Sequence, residues 1–158
     1  MTDDKILVEL IDKVKEAFAN GVPPGYLLNW EEDRFFSEIS QIVTPMRVVN
    51  ETDFNYAFCN RYSIYDTNRE YYFGLWISFI ADVYSLSQFK RISNTQVSEV
   101  GKSESCCLSE KKDEIKQFLT NKNFIAFPES WDKVVVPGIK LELSDVVTLD
   151  RCLFEDYE

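Results

Sequence analysis

Glu70-Tyr-Tyr-Phe-Gly-Leu-Trp-Ile-Ser-Phe-Ile80 decides how this chain folds. Aromatic and β-branched residues dominate it, and these types fit a pleated, extended backbone. It is apolar at odd and even positions alike, which predicts a central strand covered on both faces. Leu75, Trp76, Ile77 and Phe79 are expected there, packed against the first helix of the chain. The apolar run is about half the length a membrane-spanning helix needs.

Reading outward, Ala81-Asp82 suits a tight turn and residues 83–91 a partner strand, so a meander forms. Upstream, residues 66–68 (Asp-Thr-Asn) are turn-like and residues 55–65, rich in aromatics, read as another strand. Residues 3–19 are an amphipathic helix, with Ile6, Leu7, Leu10, Ile11, Val14 and Phe18 at helical spacing. Thr2 caps it, Asp3 and Asp4 suit its dipole, and Gly21 with Pro23 and Pro24 stops it. A second helix is expected over 30–43, with Asn29 as N-cap, Glu32 completing a capping box and Pro45 beyond its end. Phe35, Phe36, Ile39, Ile42 and Val43 would face inward.

Residues 93–109 are polar and weakly periodic and read as a mobile loop in which an edge strand fits. Ser109 then caps a helix over 110–121, with Ile115, Phe118 and Leu119 on its inner face. Residues 124–127 are a short extended piece halted by Pro128. Pro137-Gly138 marks a turn, and Ile139, Leu141 and Leu143 alternate as a half-buried strand. Residues 146–154 form the last apolar element. The order of elements gives an α+β fold, a mostly antiparallel sheet with helices packed on one face, in a single domain over 1–158.

The charge inventory restricts the chemistry. The 158 residues carry 27 Asp+Glu against 17 Lys+Arg, a net charge of -10, and no histidine. Without histidine, Ser-His-Asp, Cys-His and His-metal sites are all missing. No phosphate-binding glycine loop and no nucleophile elbow occurs, and Ser78 sits in the apolar strand. The four cysteines, Cys59, Cys106, Cys107 and Cys152, show no CxxC spacing. Neither a metal nor a cofactor is expected, and no catalytic residue. The N-terminus lacks the cationic and apolar run of a secretory leader, which predicts a cytoplasmic chain with free thiols. The acidity opposes nucleic acid and anionic membranes and favours a basic protein partner.

Three acidic groups compete as the contact site. Residues 142–158 hold six acids and one base, Arg151, mixed with rings. Asp150, Glu155, Asp156, Tyr157 and Glu158 are the expected partner-binding residues, because carboxylates accept Arg and Lys and rings supply rigid area. The plainer account is a solvated terminus. Glu31-Glu32-Asp33 is better read as dipole compensation in a first helical turn, and Glu51 with Asp53 as a loose pair in a connection. The lysines around 85–124 alternate with acids as a solvated face.

The stretch Tyr71-Tyr-Phe-Gly-Leu-Trp-Ile-Ser-Phe-Ile-Ala-Asp-Val-Tyr84 and the ending Thr148-Leu-Asp-Arg-Cys-Leu-Phe-Glu-Asp156 resemble, in general character, bacterial immunity proteins of contact-dependent growth inhibition and other polymorphic-toxin systems. Such proteins share a role and no single fold, so no site residue carries over. The resemblance implies a cytoplasmic inhibitor that binds a cognate toxin domain and covers its active site. Two other classes fit the residues: a non-catalytic adaptor of a bacterial complex, and a small carboxylate-dependent enzyme.

Overall fold

The strand read from residues 70–80 is β3, Tyr71–Ser78, at the middle of the sheet. The computed structural model describes residues 3–25, 27–55, 57–66, 71–91, 97–99, 106–141, 143 and 145–155. Strands β1 (Arg47–Asn50), β2 (Cys59–Tyr65), β3, β4 (Val83–Arg91) and β5 (Val97–Glu99) form an antiparallel meander in chain order. Strand β6 (Ile125–Ala126) joins β4 in parallel. The helices are α1 (Asp3–Ala17), α2 (Phe36–Val43), α3 (Cys106–Asn121) and α4 (Leu149–Leu153). The fold is therefore α+β on a mostly antiparallel sheet.

Register sorts the residues of β3 between two environments. Leu75 lies between Tyr62 and Leu86, Phe73 between Ile64 and Gln88, and Ile77 between Asn60 and Tyr84. With Ile39 and Val43 of α2 and Ile115 and Leu119 of α3 they make one buried cluster. Leu75 and Ile77 thus pack against α2 and α3, not against the first helix as expected. The alternate positions Cys59 and Val83 join a second cluster with Leu10, Val14 and Phe18 of α1 and Leu149, Cys152 and Leu153 of α4. Trp76 is half-buried against it. Phe79 lies one residue past β3, where its backbone N–H donates to Phe58 O at 2.8 Å.

The second helix starts at Phe36, six residues later than the sequence suggests, and the capping box at Asn29 does not form. Asn29 and Phe35 have left-handed φ values of 57° and 64°. The cause is long-range. Asn60 donates to Glu31 O at 2.9 Å, Asn50 to Glu32 O at 3.0 Å, and the Tyr62 hydroxyl to Arg34 O at 2.7 Å. These are carbonyls a helix would have used for its own first turn. Glu31, Glu32 and Asp33 therefore precede the helix and do not compensate its first turn.

Arg34 completes this anchor. Its Nε donates to Asn60 Oδ1 at 2.9 Å and its Nη2 to Ile77 O at 2.8 Å and Ser78 O at 3.0 Å. Its guanidinium stands 3.8 Å from the centre of the Phe79 ring, which stacks on Trp30 at 5.1 Å. Burial, opposed by the nearby Tyr62, lowers the guanidinium from 12.5 to about 10. Gly25 fits against the same rings, since a Cβ there would stand 2.6 Å from Trp30.

Other boundaries shift as well. Helix α3 begins at Cys106, so Ser109 lies inside it and is not its cap. Strand β5 is an edge strand within the stretch read as a loop; residues 92–96 and 100–105 lie outside the described residues, as do Thr2 and turn residues 67 and 68. Residues 139–143 do not form a strand where they are described. Val135 makes only an isolated bridge with Thr148, and Gly138 turns the chain with φ 81°. The last apolar element winds into α4.

Candidate binding face

Pleating sends every second residue of β2, β3 and β4 to the side of the sheet opposite α2 and α3. Three cross-strand rows result. Tyr65, Tyr72 and Phe89 form the first, Ser63, Gly74 and Ser87 the second, and Arg61, Trp76 and Ser85 the third. The rings of the first row touch in series, Tyr65 to Tyr72 at 5.2 Å and Tyr72 to Phe89 at 5.0 Å and 20°. All three are half-buried and belong to neither core cluster. The expectation that β3 is covered along its whole length on both faces therefore fails among the described residues.

The second row is a trough of small side chains between the aromatic row and Arg61 and Trp76 of the third. A Cβ on Gly74 would come 3.3 Å from the Phe89 ring, so glycine lets that ring lie close to β3. Glu51 marks one border, where its carboxylate accepts the Ser63 hydroxyl. Burial, then Tyr65 and Glu51, push the Tyr72 phenol up from its ordinary value of 10.0.

In the third row the Arg61 guanidinium stands 5.0 Å from the centre of the Trp76 ring and pairs with Glu155 at 2.8 Å. Beyond Trp76 the face opens into a cleft of about 140 Å³ lined by Trp76, Ser85, Phe127, Asp132, Asp150 and Phe154.

The expected C-terminal residues fare differently. Asp150 is half-buried in the first turn of α4 and lines the cleft. Glu155 is docked: it pairs with Arg61 and bridges Ala57, while Phe154 O accepts the Phe58 N–H at 2.7 Å and Leu153 O accepts the Ser78 hydroxyl at 2.7 Å. Asp156, Tyr157 and Glu158 lie outside the described residues. Sequence reasoning missed Tyr65, Tyr72 and Phe89, together with Trp76, Phe127 and Asp132. The available signal was the even-numbered set in β3, where Tyr72, Gly74 and Trp76 are smaller or more amphipathic than Phe73, Leu75 and Ile77.

Among the described residues no group of three His, Cys, Asp or Glu side chains is placed to hold a metal ion, and no helix is long and apolar enough to cross a membrane. Cys59 and Cys152 are buried and form no disulfide, and burial pushes the Cys59 thiol up. No family model, no curated protein and no solved structure matches this chain.

Proposed function

We propose that this chain is a cytoplasmic immunity protein, a binding inhibitor that neutralises a basic toxin domain. The open sheet face carries the proposal. It presents three contiguous aromatic rings beside a trough floored by serine and glycine. Charged side chains border it at Glu51, Arg61, Asp132, Asp150 and Glu155. Rigid aromatics with a polar, charged border are the composition of an interface hot spot. The net charge of -10 would steer a basic domain toward it.

The test has two stages. The partner is captured from the source cells with a tagged chain, and its toxicity is measured with and without this chain. Association is then followed in purified form at low and physiological salt. The reading expects a growth-inhibiting domain and an association rate that falls clearly with salt. Tyr72→Ala and Phe89→Ala should each weaken the complex by about 2 kcal/mol. A housekeeping protein as the captured partner would make the chain an adaptor instead. Full neutralisation by a variant lacking all three rings would move the interface elsewhere.

A further inference from the structure

The way the aromatic row stands limits what it can receive. Tyr72 and Phe89 are within 20° of parallel with centroids 5.0 Å apart, and rings side by side in one plane would collide at that separation. They overlap as a stack, which Tyr65 extends at 5.2 Å and 33°. Stacked rings turn edges and not faces outward, so the row offers no platform along its length for a nucleobase or a sugar ring. The para position carries the Tyr65 and Tyr72 hydroxyls away from the backbone. Among the described residues these two hydroxyls, and that of Ser87 below them, have no hydrogen-bond partner.

The trough beside this stack is one chain wide. Four residues along β3 separate Tyr72 from Trp76, about 13 Å, and the side chains of the two walls leave room between them for a single extended chain. The floor crosses three strands, about 10 Å from Ser63 to Ser87. One turn of a polyproline helix spans about 9 Å in three residues, so side chains three apart on such a helix would sit over Ser63 and Ser87. Gly74 lies between these two serines and lets a backbone come close. At one end stands Glu51, which is exposed, accepts the Ser63 hydroxyl and has no ion-pair partner among the described residues.

We infer that this trough receives a proline-rich segment of the protein partner, wound as a polyproline helix with a lysine or arginine beside it. The inference rests on the reading of the open face as a protein interface and names what that face takes. Prolines have no backbone N–H, and a polyproline helix leaves its carbonyls free to accept. The hydroxyls of Tyr65, Tyr72 and Ser87 are donors for those carbonyls. A β-strand would instead bring a backbone N–H at every residue, and ring edges do not accept them. Grooves lined by aromatic residues bind such helices because the ligand is already ordered and little entropy is lost. Charge selects the neighbour of the prolines. The Glu51 carboxylate at the end of the floor attracts a cation, and the net charge of -10 draws a basic segment toward it.

The experiment uses the whole chain and short peptides, so it needs no partner. Nitrogen-15 NMR follows the Gly74 amide and the Trp76 indole, the latter assigned with Trp76→Phe. Three peptides are titrated: six prolines followed by one lysine, six prolines followed by one glutamate, and six alternating glycines and serines followed by one lysine. The inference expects a saturable shift of both signals with the proline–lysine peptide and clearly weaker responses to the other two. Tyr65→Phe with Tyr72→Phe keeps the stack, removes two donors and should weaken that peptide about tenfold. Glu51→Gln keeps an acceptor for Ser63 and should bring the two proline peptides to within about twofold of each other. The two variants read different contacts, so loss of a dispersed spectrum in one leaves the other as the test. Equal binding of the glycine–serine peptide would mean that the trough takes any cationic chain. Equal binding of the glutamate peptide would leave Glu51 no part. Either overturns the inference, as do shifts that spare Gly74 and Trp76 and the absence of a saturable shift up to the solubility of the peptide. None of these outcomes removes the open face as an interface, which Tyr72→Ala and Phe89→Ala test separately in the partner complex.

Discussion

Arg34 shows how much one side chain can organise. Three of its hydrogen bonds cross from the segment before α2 to the ends of β2 and β3, and its charge lies on the Phe79 ring. Replacing Arg34 with Ala strands Asn60 Oδ1 and the carbonyls of Ile77 and Ser78, and the variant should lose about 3 kcal/mol in urea unfolding. Arg34→Lys should recover little, because an ammonium lacks the planar fork that reaches two strands at once. A lysine variant as stable as the parent would show that charge alone, without geometry, holds the segment. At Glu155 the scale of the effect is smaller. Its side chain and that of Arg61 remain 23% and 31% exposed, so the pair is partly screened. Glu155→Lys places two bases together and should cost about 1 kcal/mol, measured by the same unfolding curves. A sequence with no fold attached shows Glu155 as part of a terminus free to reach outward; its partner 94 residues away is a fact of three dimensions.

Within β3 the two faces should answer differently to neighbouring substitutions. Leu75 is fully buried between the sheet and the helices α2 and α3, so Leu75→Ala should cost about 3 kcal/mol through lost transfer energy and a residual cavity. Gly74→Ala adds one methyl 3.3 Å from the Phe89 ring, at the rim of a half-open trough. The ring can give way, so that variant should melt within a few degrees of the parent while its aromatic row spreads. If both variants melt alike, the division of β3 into a core face and an open face is wrong. This contrast also explains what the sequence discloses. Strands β3 and β4 are legible because their apolar patterns are local, and β4 is expected over the same residues it occupies, 83–91. The inner face of α3 is legible for the same reason, since Ile115 and Leu119 repeat at helical spacing and are buried. The start of α2 is not, because Asn50, Asn60 and Tyr62 take the carbonyls of 31, 32 and 34 from strands later in the chain. The aromatic row is illegible for a related reason: Tyr65, Tyr72 and Phe89 align only once two hairpins fix the register. Asp150 alone among the described candidate residues was readable at the cleft, as one carboxylate in an acidic segment.

For the molecule as a whole, the missing histidine and the buried thiol and phenols together set the pH response. No side chain here has an ordinary pKa between about 5 and 8, so stability should be level from pH 6 to 8. Above that range the fold and the unfolded chain part company. Burial raises the Cys59 thiol above its ordinary value of 9.0. It likewise raises the Tyr62, Tyr72 and Tyr84 phenols above 10.0. As pH climbs through those ordinary values, the unfolded chain releases protons that the fold still holds. The unfolded state then binds fewer protons, so stability falls with rising pH. Arg34 works in the opposite direction: its guanidinium is lowered to about 10, so the fold releases that proton before the unfolded chain does and regains some stability above pH 10. The thiol begins to act about one pH unit below the Arg34 effect, and three phenols then oppose a single guanidinium, so the net course is downward from about pH 9. Urea midpoints measured from pH 6 to 11 should show the plateau and then the decline. Cys59→Ala removes the earliest contribution and should move the onset from about pH 9 to about pH 10. A decline that starts at the same pH in this variant would free Cys59 of the role, and a midpoint that rises through pH 9 to 10 would overturn the sign of the whole argument.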